Sequence, residues 1–168
     1  MIEFNLVTTA VAAIIPLVMG FLWYGPMLFK KAWMKEVGFN DDSMKGANMA
    51  LIFGLSYVLS FLMAFILQTV VIHQFGVQSV LFGEPGFAES TGEAFTYFQD
   101  FMTTYGDRFR SFGHGALHGT MVGLFIALPI MGTNAMFERK SFKYVLINVG
   151  YWTITLALMG GILCQTAF

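Results

Sequence analysis

FGHGALHGTMVGLFIALPIMGTNAMF, residues 112–137, is the stretch on which the fold turns. An α-helix needs about 20 predominantly apolar residues to cross a hydrocarbon layer of about 30 Å. Residues 113–136 meet that length without an Asp, Glu, Lys or Arg, which predicts a transmembrane helix. Gly115, Gly119, Gly123 and Ala127 recur at every fourth position and therefore share one helix face. Without large side chains that face admits a second backbone, so it predicts a packing seam. His114 and His118, one turn apart, form the adjoining row at the end where the helix meets the bilayer surface.

Three further apolar runs, at about 5–24, 47–73 and 144–166, repeat the pattern. Together they predict an all-α protein, a four-transmembrane-helix bundle forming a single integral membrane domain over 1–168. Composition agrees: 57% of residues are hydrophobic and 11% charged, against about 25% charged in soluble domains, and the mean hydropathy is +0.68. A net charge of −1 gives no ground for nucleic-acid binding; the expected partners are the lipid bilayer and either further copies of the chain or other membrane subunits. Cys164 is the lone cysteine and has no partner for an intrachain disulfide. The opening MIEFNLVTT carries an acid and no base before its apolar run, which predicts a retained span rather than a cleaved leader. Pro16 should kink that span, Trp23 and Tyr24 should sit at its far interface, and Pro26 should end it. The other spans carry small rows of their own, Ser56, Ser60 and Ala64 in the second and Thr153, Ala157 and Gly161 in the fourth. Such rows predict close helix–helix packing.

Between the spans, Met27–Phe39 reads as a short interfacial helix whose lysines face water or phosphate, and residues 40–43 read as helix-start residues for the second span. The long connection 74–111 should open with a turn-rich part at 76–86. Ser90-Thr91-Gly92-Glu93 fits a capping box before an amphipathic helix across 93–109. Lys30, Lys31, Lys35 and Lys45 in the first connection and Arg139, Lys140 and Lys143 in the third outnumber Arg108 and Arg110 in the second. Basic residues of short loops stay in the cytoplasm, so both termini and 74–111 should face outward, with all three histidines near that outer face.

Leu22-Trp23-Tyr24-Gly25-Pro26-Met27-Leu28-Phe29, followed by Lys31-Ala32-Trp33-Met34, resembles the opening signature of a bacterial membrane-protein family, the domain of unknown function 1761. Gly132-Thr133-Asn134-Ala135-Met136-Phe137-Glu138-Arg139-Lys140 and Ile147-Asn148-Val149-Gly150-Tyr151-Trp152 extend the likeness. The resemblance implies a small four-helix protein of the bacterial cytoplasmic membrane, without an agreed activity or functional residues to carry over. The 74–111 connection is longer than in many members.

Three functions follow from the residues. Small-residue seams and the Phe-rich connection, with no charge inside a span, suggest first a non-catalytic packing or accessory subunit of a homo-oligomer or larger membrane complex. A small transporter or channel is the second, with a polar pocket at Asn134, Asn148, Tyr151 and Trp152, near Tyr57 and Thr120. The third is a metal- or pH-responsive site, or a metal-dependent enzyme, at His73, His114 and His118. Two histidines at i and i+4 can ligate one ion and a third from another helix completes the set. No HExxH, GxSxG or phosphate-loop pattern occurs, so catalysis is the poorer expectation. No cofactor is expected, with a divalent metal at the histidines as the exception.

Overall fold

The computed structural model describes residues 1–43 and 45–166, and every regular element among them is helical. Helices α1 (Leu6–Ala12) and α2 (Ile15–Trp23) form one apolar rod interrupted at Ala13 and Ile14. The break lies where the ring of Pro16 excludes a hydrogen bond to the Ala12 carbonyl, and Pro16 then occupies the first turn of α2, where its missing N–H is harmless. Trp23 and Tyr24, at the end of this rod, turn half-buried toward the last span. Trp23 Nε1 donates to the Ile147 carbonyl at 2.9 Å and the Tyr24 hydroxyl to Asn148 Oδ1 at 2.8 Å. Burial first, then the neighbouring Tyr151 and Tyr144, pushes the Tyr24 phenol well above its ordinary range.

Helix α3 (Lys30–Val37) ends at Gly38, whose φ of +77° makes it a left-handed C-cap. Residues 40–43 do not begin the next helix. The Asn40 side chain accepts the Asp42 N–H at 2.9 Å and closes a turn, while Asn48 caps α4 (Met49–Val71) by accepting from Leu51 N–H at 3.1 Å. Helix α5 (Gln74–Leu81) replaces the first half of the expected turn-rich part. Helix α6 (Gly92–Tyr105) is shorter than the periodicity predicts, because the chain turns at Gly106 and leaves Phe109 at a φ of +64°. The capping box does not form. Thr91 is the N-cap without a side-chain cap bond, since its hydroxyl and its N–H both go to the Gly86 carbonyl, at 3.2 and 2.8 Å.

The opening stretch is one apolar length of 26 residues, α7 (Phe112–Val122), a π turn at Gly123–Ala127 and α8 (Leu128–Phe137). In the π turn Leu128 N–H bonds back to the Gly123 carbonyl. The wider turn relieves the clash that the ring of Pro129 would otherwise make with the Phe125 carbonyl. Helix α9 (Phe142–Thr166) is the last. Four helical lengths, 6–23, 49–71, 112–137 and 142–166, are long and apolar enough to cross a membrane.

Helix α9 is the axis of the assembly. Its apolar window is 56% buried against 11–22% for the other three, so it is the one enclosed by protein while they keep exposed apolar faces. The glycine row explains the contact with α7. A Cβ on Gly115 would meet the Gly160 carbonyl, one on Gly119 the Leu156 carbonyl, and one on Gly123 would stand 2.6 Å from Thr153 Cα. The two backbones therefore touch along α7, and Phe112 lies over Gly161 in the same way. Ala127 closes the π turn, which shifts the register, and is only half-buried. In α4 Ser60 and Ala64 are buried, Ser56 half so.

At the α4 C-terminal end a buried amide ties the N-terminal segment down. Gln68 Nε2 donates to Thr9 Oγ1 at 2.6 Å, its Oε1 accepts Asn5 N–H at 3.1 Å, and Thr9 Oγ1 donates to the Asn5 carbonyl at 2.6 Å. Gln68→Leu removes the acceptor of the half-buried Asn5 N–H and the donor to Thr9 Oγ1, and is expected to cost about 1–3 kcal/mol. Denaturation in detergent micelles checks this, with Thr69→Val as the comparison, since among the described residues the Thr69 hydroxyl bonds only to its own helix at Ile66. Equal stability of the two variants would remove the clamp from the account.

Candidate metal centre

The backbone contact between α7 and α9 places two histidines, and a break in α4 places the third. Ile72 leaves the helix with extended dihedrals (φ −113°, ψ 96°), so His73 stands at the corner between α4 and α5. His114 and His118 occupy the first two turns of α7, which starts at Ser111 with the serine side chain accepting His114 N–H at 3.3 Å. The end of α9 is the spacer common to both. A Cβ on Gly160 would meet the Gly115 carbonyl on one side and Val71 Cγ1 at 3.3 Å on the other. Cys164 Sγ donates to the Val71 carbonyl at 3.3 Å. Because only a glycine stands between Val71 and Gly115, the corner carrying His73 and the turn carrying His114 approach across α9 closely enough for the imidazoles to meet.

His73 Nε2 and His114 Nε2 are 2.9 Å apart, and the three residues' ligand nitrogens all lie within 4.8 Å of one another. Ring centroids are 5.0 Å apart for His73 and His114, 4.8 Å for His73 and His118 and 4.6 Å for His114 and His118. Around a tetrahedral ion with bonds of about 2.0–2.1 Å, donors stand roughly 3.3 Å apart, so small rotations of the rings suffice to enclose one. Without an ion, one of the two close nitrogens carries the proton and donates to the other's lone pair. Three neutral imidazoles suit zinc, copper, nickel or iron(II) and leave a coordination position open. His73 is exposed and the other two are partly so, which leaves a way in.

Phe109 lies on the His114 ring, centroids 5.0 Å apart and 23° from parallel. The loop carrying it is held by Gln74, whose Nε2 donates to the carbonyls of Tyr105, Gly106 and Arg108 at 3.1, 2.9 and 3.0 Å. Sequence reasoning passed over Gln74. The available signal was an amide directly after His73, at the end of an apolar run.

The other expected site residues lie elsewhere. Asn148 accepts from Tyr24 and donates its Nδ2 to the Tyr144 carbonyl at 2.8 Å, while the Tyr151 hydroxyl donates to the Pro16 carbonyl at 2.7 Å. Trp152 is half-buried with its ring 4.9 Å from that of Tyr151. Asn134 is exposed on α8. Tyr57 donates to the Ala10 carbonyl at 3.2 Å and Thr120 to that of Ala116 at 2.9 Å. The polar atoms of Asn148, Tyr151, Tyr57 and Thr120 are thus engaged by the chain itself. Thr153, Ala157 and Gly161 line the α7–α9 contact.

Residues 7–164 match the model of a family described as Protein of unknown function (DUF1761). Neither a curated protein nor a solved structure matches the chain.

Proposed function

We propose, for a chain that belongs to the DUF1761 family over nearly its whole length, that it is a membrane protein built to hold one divalent transition-metal ion on His73, His114 and His118. The observation that carries this reading is the convergence of three imidazoles, two from one span and one from the corner that follows another, onto one point with no carboxylate in the cluster. A structural role for one histidine needs one partner; three meeting at ligand distance is what a metal requires. The excess of basic residues in the first and third connections supports placing this centre on the extracytoplasmic side, with both termini outward. The ion's open position can take water or a small donor ligand.

The small-residue seams that favoured an accessory subunit on sequence grounds are closed within the chain where α7 meets α9, so the histidine centre is the stronger ground. Binding needs neutral imidazole, so it releases protons and weakens as pH falls. Elemental analysis of the protein, purified in detergent and equilibrated with Zn²⁺ at about pH 7.5, is expected to find one ion per chain. Occupancy should fall as the pH is lowered, because protons compete with the ion for the imidazole lone pairs. Failure to retain any of Zn²⁺, Cu²⁺, Ni²⁺ or Co²⁺ in stoichiometric amount would overturn the reading.

A further inference from the structure

At the opposite end from the histidines, the chemistry of α3 makes a second site. Its inner face is fixed by Trp33, whose ring meets Tyr24 edge-on at 5.3 Å and Phe39 at 5.6 Å. Its one acid, Glu36, is also turned inward, accepting a hydrogen bond from Ser141 at the start of α9. The outer face keeps the positive charge. A groove of about 430 Å³ lies there, walled by Lys30, Lys31 and Lys35 and by the apolar surfaces of Pro26, Met34 and Phe39. Asp41, the one carboxylate on the groove, pairs with Lys30 at 3.2 Å. Lys31 and Lys35, one turn apart and both exposed, make no ion pair among the described residues.

We propose that this groove binds the headgroup of an anionic phospholipid of the surrounding bilayer. Three ammonium groups against one carboxylate call for a phosphate. Three of the seven wall residues are apolar, and a free phosphate ion would gain nothing from them. The groove also opens where α2 ends, next to Met27 and Leu28, which are 79% and 54% exposed. That is the level at which a span passes from acyl chains to headgroups, so a lipid phosphate on the lysines leaves its chains running down the apolar side. Lysines serve here as point charges rather than as a bidentate fork, which suits a phosphodiester held from one side. This inference does not depend on the histidine centre.

The test compares the native chain with K31Q/K35Q and K31R/K35R, each reconstituted in nanodiscs of phosphatidylcholine alone or mixed with phosphatidylglycerol. Lipid retained after transfer to detergent is read by native mass spectrometry. The native chain is expected to keep one phosphatidylglycerol in preference to phosphatidylcholine. K31Q/K35Q should lose that preference by about 10–30-fold, since each basic group near an anionic surface contributes about fivefold, and K31R/K35R should retain it. Melting temperatures in pure phosphatidylcholine should agree for all three chains, because neither lysine supports the fold. Equal preference in K31Q/K35Q, or equal retention of both lipids by the native chain, would overturn the proposal. So would displacement of the lipid by an excess of inorganic phosphate, which would assign the groove to a free anion.

Discussion

Replacing His118 with alanine is expected to abolish stoichiometric metal retention, lowering affinity more than about 100-fold, while leaving the metal-free protein as stable as before. The first half follows from ligand count. Two imidazoles cannot fix an ion against exchange with water, and even losing a supporting outer partner typically costs 10–100-fold. The second half follows from the surroundings of the ring. His118 makes no hydrogen bond among the described residues and only ring contacts with His73 and His114, so its loss leaves nothing buried and unpaired. The two halves separate on a melting curve. With free Zn²⁺ at 100 times the native dissociation constant, binding stabilises the native chain by about 2.7 kcal/mol, and H118A should keep at most about 0.4 kcal/mol of that shift. A matched Co²⁺ titration reports the same loss in the visible bands of the bound ion. If H118A keeps the full Zn²⁺-dependent shift, the three-histidine centre is wrong.

Gly119→Ala should produce the largest loss of stability of any single methyl addition in the chain, at least about 3 kcal/mol. Gly119 is buried, and its added carbon would collide with the Leu156 carbonyl, a backbone atom that cannot rotate away. Relief requires α7 and α9 to part over several turns. Parting them also carries His114 and His118 away from His73, so metal retention should fall together with stability. Gly113→Ala is the control in the same helix. Its Cβ would meet nothing within 4 Å, and alanine is the better helix former by about 0.5–1 kcal/mol, so the change should be neutral or favourable. Unfolding of the two variants in detergent micelles, followed by helical circular dichroism, decides the matter. A Gly119→Ala protein as stable as the native one would mean that the helices do not touch at this point.

The three glycines show how far local pattern reaches. Their spacing alone marked a seam, because a four-residue repeat and an α-helix share a period. That period fails at Ala127, where Pro129 forces a π turn and shifts the register, so the fourth member leaves the contact. The same holds at Ser90–Glu93, whose capping pattern is overridden by a loop that spends the Thr91 hydroxyl and N–H on Gly86. Residues 40–43 have helix-start chemistry but close a turn on themselves, because Asn40 reaches Asp42 before any helix begins.

By itself the sequence determined that four helical lengths are long and apolar enough to cross a bilayer, and that glycines face out of one of them, since hydropathy and periodicity act within a single helix. It also placed two histidines a turn apart. Only the tertiary structure decided which helix fills the glycine face, that the amide of Gln74 holds the loop carrying Phe109, and that His73 joins the other two. Those outcomes depend on contacts between residues about 30 or more positions apart, and no local propensity carries the identity of a partner at that distance.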